Sequence, residues 1–241
     1  MAAVTPIKVL MPIFSGFNTL DLNGPLEVLA RPKEKGTFKC TIAAAEDVTL
    51  AAEGVSIQRH ISLEEALETY YTYDILLVPG GEAAPVLSQA AQTSSAFMQL
   101  ILAYSELTGS TTTDRHHPHP PPKKPILLSI CTGAGFLGQL GILDGIKCTT
   151  HFGFLDTLRS ICVKVAEESG KKAGKVIRAR FVDAGTNGNG VRIITGGGIS
   201  CGLDSALYVV RMLKGDEVAW YCAGLMEYAS RVNEGVIVED E

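Results

Sequence analysis

The stretch 126-ILLSICTGAGFLGQLGILDG-145 joins an apolar block to a helical pattern through a turn of small residues, with Cys131 at the junction. The block PILLSI (125–130) is almost entirely apolar, which is typical of a strand buried on both faces of a parallel sheet. Small residues, Ser129 and Gly133, stand two places before and two places after the cysteine. A sharp strand-to-helix turn requires them, because bulky neighbours would clash. The segment therefore predicts a strand, a tight turn that presents a thiol, and a helix.

The same alternation of strand and helix patterns extends along the chain. Apolar, β-branched blocks predict strands at 7–13, 41–45, 74–81, 125–130 and 191–198, and a hairpin turn at 184–190 joins the last of them to VIRARFVD (176–183). Helical patterns occupy 24–31, 63–69, 94–107, 133–143, 199–213 and 215–232. This rhythm predicts an α/β fold: a doubly wound, mostly parallel sheet with helices on both faces. We expect a single domain over residues 1–241.

Composition narrows the classes of function. The chain has 241 residues, 46% of them hydrophobic and 20% charged, which is enough to bury a substantial core. Its formal net charge is −5 and the charges are interleaved, so we expect a small-molecule substrate and neither nucleic acid nor membrane as partner. The six cysteines are scattered and never form CxxC, which indicates reduced thiols and a cytoplasmic location.

One segment interrupts the pattern. Residues 109–124 are rich in Pro, Thr and His, and they separate a helix from a strand that normally need only a short connection. We interpret this segment as an inserted surface loop. His116, His117 and His119 are of a type that binds metals, but a proline-rich loop does not build a rigid site. We therefore expect no metal.

Several candidate residues follow the predicted parallel strands. The carboxyl ends of parallel strands meet at one edge of the sheet, and ligands bind in the crevice outside that edge. The candidates that this topology brings together are Asp21, Gly80, Gly81, Cys131, Thr132, Gly197 and Gly198.

Three side chains have possible chemical roles. The helix after Cys131 is expected to lower the pKa of its thiol and make it a nucleophile, whereas the alternative is a buried core cysteine. Asp21 is either a proton donor beside that sulfur or the N-cap of a helix that begins near Pro25. His151, in TTHFGF, is either a base or a structural histidine.

The glycines of these loops allow close approach of the backbone to a ligand. The N–H groups of Gly80 and Gly81, with that of Thr132, form a candidate oxyanion-binding group, and the alternative is an ordinary turn. Gly197 and Gly198 belong to a run of three glycines that either contacts the substrate or permits tight packing of the next helix.

Four sequence blocks carry a family resemblance. They are LDLNGPLEVL (20–29), LLVPGG (76–81), SICTGAGFLGQLGILDGIKCTTHFGFLDTL (129–158) and ITGGGISCGLDSAL (194–207). In this order they resemble the ThiJ/PfpI superfamily, which has a flavodoxin-like fold, and within it most closely the isonitrile hydratases.

The resemblance implies an acid at Asp21, a nucleophile at Cys131 and an assisting hydroxyl at Thr132, in a homodimer without a cofactor. The peptidase branch has a histidine directly after the cysteine, and this chain has Thr132 there. The implied reaction is hydration of an isonitrile to an N-substituted formamide through a thioimidate on Cys131. The alternatives are a glyoxalase-type reaction on a 2-oxoaldehyde and a redox-sensing or chaperone protein.

Overall fold

The computed structural model of this protein describes residues 5–108 and 124–238. In these ranges the strands are β1 (Ile7–Pro12), β2 (Phe38–Ala44), β3 (Val48–Leu50), β4 (Ser56–Gln58), β5 (Ile61–Ser62), β6 (Ile75–Val78), β7 (Ile126–Ser129), β8 (Lys147–Cys148), β9 (Lys175–Val176), β10 (Phe181–Thr186), β11 (Arg192–Gly196) and β12 (Val236–Ile237). The α-helices are α1 (Thr19–Leu29), α2 (Leu63–Thr69), α3 (Ala83–Ala91), α4 (Ala96–Ser105), α5 (Ala134–Gln139), α6 (Leu155–Ser169), α7 (Cys201–Lys214) and α8 (Asp216–Leu225).

Within the described residues, eight strands form one sheet in the order β12-β10-β11-β7-β6-β1-β2-β5. Neighbouring strands are parallel except β10 and β11, which pair as the predicted antiparallel hairpin. The sheet contains strands from near both ends of the chain. The predicted α/β class, with a mostly parallel sheet, is therefore confirmed.

The helices form two groups. α1 packs on α7, which also packs on α8, while α5 is packed against α3, α4 and α6. The central strands β6 and β7 lie between them, and every residue of both strands is buried. Their unbroken apolar sequences follow from this position, because a strand covered on both faces has no side that requires polar residues.

The first helix begins earlier than the sequence pattern predicts. The expected start lies near Pro25, but α1 starts at Thr19, because the side chain of Asn18 accepts hydrogen bonds from the N–H groups of Leu20 and Asp21. Pro25 lies inside the helix, where its ring removes the hydrogen bond that the carbonyl of Asp21 would otherwise accept. The N-cap alternative for Asp21 is thus wrong: Asn18 is the cap, and Asp21 lies in the first turn.

Other differences concern short or amphipathic elements. The helices α3 and α6 and the β3–β4 hairpin were not predicted from the sequence. The helix predicted over 215–232 ends earlier, at Leu225. The predicted insertion lies outside the described residues except for Lys124, and so do His116, His117 and His119.

Two features are absent from the described residues. None of the helices in 5–108 and 124–238 has the length and apolar character needed to cross a membrane. In the same ranges, no three His, Cys, Asp or Glu side chains are grouped in a way that would hold a metal ion.

Candidate active site

The candidate residues meet at one edge of the sheet. The strands β11, β7, β6 and β1 are consecutive neighbours, so the segments that follow them lie side by side at their carboxyl ends. These segments contain Gly197, Cys131, Gly80 and Asp21, respectively. Topology alone predicted that grouping.

Cys131 lies in the predicted sharp turn between β7 and α5. Its φ is 57°, a left-handed conformation that non-glycine residues rarely adopt. Two hydrogen bonds hold it there: its N–H donates to the carbonyl of Gly197 (3.0 Å), and its carbonyl accepts from the hydroxyl of Thr150 (2.7 Å). Backbone strain of this kind persists only where the surroundings enforce it, and it is concentrated at functional sites.

Asp21 is a fully buried carboxyl beside the Cys131 thiol. Burial raises its pKa to about 7; the Gly80 N–H and the neighbouring thiol act against this shift, and the charge of Glu53 adds to it. The Gly80 N–H donates to Oδ2 at 3.1 Å, whereas Oδ1 has no hydrogen-bond partner among the described residues. The raised pKa lets the carboxyl hold a proton closer to neutral pH than an exposed aspartate does.

The thiol of Cys131 does not have the lowered pKa that the sequence suggested. Its side chain is 5% exposed, and burial, followed by the charge of Asp21, raises its pKa to about 12. The N–H groups of Ile199 and Thr132 act in the opposite direction. That expectation was wrong because it relied on the dipole of the following helix, and α5 has only six residues.

The N–H groups of Gly80 and Gly81 already have acceptors within the protein. Gly80 donates to Asp21, and Gly81 donates to the Thr132 hydroxyl (2.8 Å), which in turn donates to the Gly81 carbonyl (2.8 Å). The expected oxyanion-binding pair is therefore not available in this structure. These groups instead fix the acid and tie the two loops together.

His151 lies at the rim of the site. A Cβ on Gly198 would come within 2.2 Å of the His151 ring, so this glycine permits the ring to lie against the backbone. Nδ1 of His151 accepts from the Gly153 N–H (3.2 Å), and the ring packs on Phe152 with centroids 4.4 Å apart. Because Nδ1 is bound to the backbone, the contacts of His151 favour the structural alternative over the base.

Three residues that contribute to the candidate active site were not predicted from the sequence. Asn18 caps α1, Glu53 accepts from the Thr19 N–H (2.9 Å) and also from the Asn18 side chain, and Ile199 directs its N–H at the Cys131 sulfur. The spacing of Asn18 and Asp21 is that of a helix cap and could have been recognised. No local pattern marks Glu53, which reaches the site through the β3–β4 turn.

A cavity of about 340 Å³ opens above the cysteine. Glu53 and Glu82 give this cavity an acidic lining, and none of its described lining residues is Lys or Arg. The lining residues are Asn18, Ala52, Glu53, Gly81, Glu82, Ala83, Cys131, Thr132, His151, Gly153, Phe154 and Ile199. This site suits a small ligand without negative charge at the sulfur.

Several solved structures have the same fold as this chain. A ThiJ/PfpI family protein from Pseudomonas syringae superposes with a TM-score of 0.70 at 21% identity, over 93% of this chain and 76% of that one. DJ-1beta from Drosophila melanogaster superposes with a TM-score of 0.68 at 17% identity, over 93% of this chain and 100% of that one. The chain thus has the fold of the ThiJ/PfpI and DJ-1 proteins, and the resemblance seen in the sequence blocks is confirmed.

The sequence of this chain is also similar to that of an isonitrile hydratase. The isonitrile hydratase of Pseudomonas putida is 27% identical over 220 residues, which cover 90% of this chain and 76% of the enzyme. No protein-family model matches the chain.

We predict that Gly80→Ala destabilises the protein by about 1–3 kcal/mol, the usual cost of overpacking. A Cβ there would lie 2.5 Å from Thr132 Oγ1 and 2.6 Å from the Thr132 backbone nitrogen, so the two loops must separate. Urea unfolding measures the change. Gly188→Ala is the control, since its Cβ would meet nothing within 4 Å. Equal stabilities of the two variants would contradict the close packing of these loops.

We also predict that Asp21→Asn removes a pH dependence of stability. The folded pKa of Asp21, about 7, lies above the usual aspartate value of 3.8, so the folded state keeps a proton that the unfolded chain loses. The stability of the wild type therefore falls as pH rises through this window, by on the order of 4 kcal/mol relative to Asp21→Asn. Denaturant unfolding at pH 4 and pH 8 measures it.

The control for that experiment is Glu82→Gln, an exposed carboxyl that lines the same cavity. It should retain the pH dependence of the wild type. If the stabilities of wild type and Asp21→Asn keep a constant difference from pH 4 to pH 8, the buried carboxyl does not have the raised pKa described above.

Proposed function

We propose that this protein is an isonitrile hydratase, which adds water to an isonitrile (R–N≡C) to give an N-substituted formamide. The observation that carries the proposal is the Asp21 carboxyl, fully buried beside the Cys131 thiol, where burial raises its pKa to about 7. The terminal carbon of an isonitrile must gain both a nucleophile and a proton, and this pair supplies both. Similarity to the enzyme from Pseudomonas putida supports the same reaction.

In the first step the sulfur of Cys131 bonds to the terminal carbon. Asp21 gives its proton to that carbon from one oxygen and takes the thiol proton on the other, which is the oxygen without a partner. The product is a thioimidate, R–N=CH–S–Cys131, and the carboxyl is again protonated. A thiol with a raised pKa is compatible with this step, because its proton leaves only as the new bond forms.

In the second step water replaces the sulfur. Asp21 accepts a proton from the water as oxygen bonds to carbon, and it protonates the nitrogen, which gives R–NH–CH(OH)–S–Cys131. The carbon–sulfur bond then breaks as the hydroxyl proton passes through the carboxyl to the sulfur. The formamide leaves, and both side chains return to their first state.

The backbone stabilises charge on the sulfur during these steps. The N–H groups of Thr132 and Ile199 face the sulfur and act against the rise in its thiol pKa that burial causes. They therefore stabilise the partial negative charge that develops as the proton leaves and as the carbon–sulfur bond breaks. Thr132 contributes in the proposal through this N–H, because its hydroxyl is bonded to Gly81.

We further propose that the protein forms a homodimer and is located in the cytoplasm. Exposed apolar side chains occur on the β3–β4 hairpin and near the start of α1. Hydrogen bonds from Gly16 N–H to Leu50 O and from Ala52 N–H to Phe17 O join the hairpin to the segment before α1. We propose that four of these side chains form one patch: Leu20, Val48, Leu50 and Val55. A second copy of the chain would remove these side chains from water.

Turnover of n-butyl isonitrile tests the reaction. We expect wild type to form N-butylformamide, with kcat/KM falling above about pH 7 as Asp21 loses its proton. Asp21→Asn should fold normally yet lose on the order of 10²-fold or more in kcat/KM, because an amide does not transfer the proton. Cys131→Ser should lose turnover as well. Formamide is measured by mass spectrometry.

Cys40→Ser is the matched control, since Cys40 lies on β2 and outside the cavity. It should retain the wild-type rate. Normal turnover in a well-folded Asp21→Asn variant would refute the mechanism. Activity on methylglyoxal without activity on the isonitrile would support the glyoxalase alternative instead, and peroxide-dependent binding with neither activity would support a redox or chaperone protein.

Light scattering tests the dimer. We expect twice the mass of the chain for wild type and a shift to monomer for Val48→Glu, because a buried unpaired carboxylate opposes association. Val163→Glu is the control, since Val163 is an exposed valine on α6, outside the patch. A monomeric wild type would exclude the homodimer.

A further inference from the structure

A second and larger cavity adjoins the one above Cys131. Its volume is about 670 Å³, and it shares His151 and Ile199 with the cysteine cavity. Ile199, 40% exposed at φ 41°, therefore lies between them. A ligand whose reacting end contacts Cys131 reaches this second cavity by passing over Ile199 and His151.

The charge of the second cavity is opposite to that of the first. Arg178, Arg180 and Arg231 line it, with Glu234 as the acidic group, while Glu53 and Glu82 line the cysteine cavity. The protein as a whole has a formal net charge of −5, so this basic lining is a local exception. The two cavities together suit a molecule that is neutral at one end and negative at the other.

Two of the three arginines already have carboxylate partners. Arg180 Nε donates to the buried Asp204 at 2.6 Å, and Arg231 Nε donates to Glu234 at 2.7 Å. Arg178 is exposed, and it makes no side-chain hydrogen bond or ion pair with any residue in 5–108 or 124–238. Within the described part of the chain, Arg178 is thus the arginine of this cavity without a counter-charge.

The N-terminus of α7 lies at this cavity. α7 has 14 residues, and its first residue, Cys201, lines the cavity with Ser200 and Ile199. Its first N–H groups already have backbone acceptors, since Cys201 donates to Gly198 O and Gly202 donates to Ile199 O, both at 3.1 Å. The helix thus contributes the positive end of its dipole, and direct contact with an anion falls to the Arg178 guanidinium.

We infer that this cavity binds a single carboxylate, carried by the substrate at the end remote from its reacting carbon. The substrate class is then an isonitrile with a carboxylate on a short chain. Arg178 is the specificity-determining residue, because it supplies the charge that the other groups leave uncompensated. The identity of the reacting end rests on the proposed function, whereas recognition of the carboxylate rests on the cavity alone.

Product-like formamides test the inference without turnover. The probes are the N-formyl derivatives of glycine, β-alanine and 4-aminobutanoate, each beside its uncharged amide. Their binding is measured by isothermal titration calorimetry. For at least one chain length, we expect the carboxylate to bind wild type about fivefold or more tightly than its amide, with the difference reduced by salt.

Variants of Arg178 identify the group responsible. Arg178→Gln should bring the preference for the carboxylate to less than about twofold, and Arg178→Lys should restore part of it, since the charge is retained. Arg31→Gln is the control, because Arg31 is an exposed arginine paired with Glu27 and lies outside both cavities. It should keep the wild-type preference.

Two results overturn the inference: equal binding of carboxylate and amide to wild type at every chain length, and a preference that persists in Arg178→Gln. The proposed function fails independently of it. Carboxylate preference without isonitrile turnover would retain the anion site and reject the hydratase. Turnover of n-butyl isonitrile without any charge preference would do the reverse.

Discussion

The proposed chemistry of this protein depends on the burial of one carboxyl beside one thiol. The Asp21 carboxyl is removed from water and receives a single backbone donor, Gly80, so the cost of desolvating its anion is not fully offset. A carboxylate with two or three N–H donors would lose its proton far below neutral pH. The glycine loop after β6 therefore leaves the pKa of Asp21 high, because it gives the carboxyl only one hydrogen bond.

The surrounding backbone is organised to maintain that arrangement. Cys131 keeps its left-handed conformation because Gly197 and Thr150 bind its N–H and its carbonyl, and Thr132 joins the same turn to Gly81. The loops after three neighbouring strands are thus linked around one side chain. A change in any of them moves the sulfur relative to the acid, and proton transfer depends on that distance.

Much of the arrangement of these loops was predictable from the sequence, because it follows from the topology of the sheet. Apolar strands in a doubly wound order bring their carboxyl ends to one edge of the sheet. The sequence alone therefore predicted that Asp21, Gly80 and Cys131 lie close together. The direction of the Cys131 pKa shift was not predictable, because it depends on a balance of burial and hydrogen bonds that no local pattern encodes. Glu53 and Arg178 were missed for a similar reason, since each reaches its cavity from a segment without a motif.

The contact between Glu53 and the start of α1 has a consequence for how the protein responds to its solution. Glu53 is exposed, yet its charge helps to raise the pKa of the buried Asp21. Dissolved ions screen an exposed charge much more effectively than a buried one. The pKa of the buried Asp21 carboxyl therefore depends on ionic strength, through one exposed carboxylate, Glu53, on the turn of a hairpin.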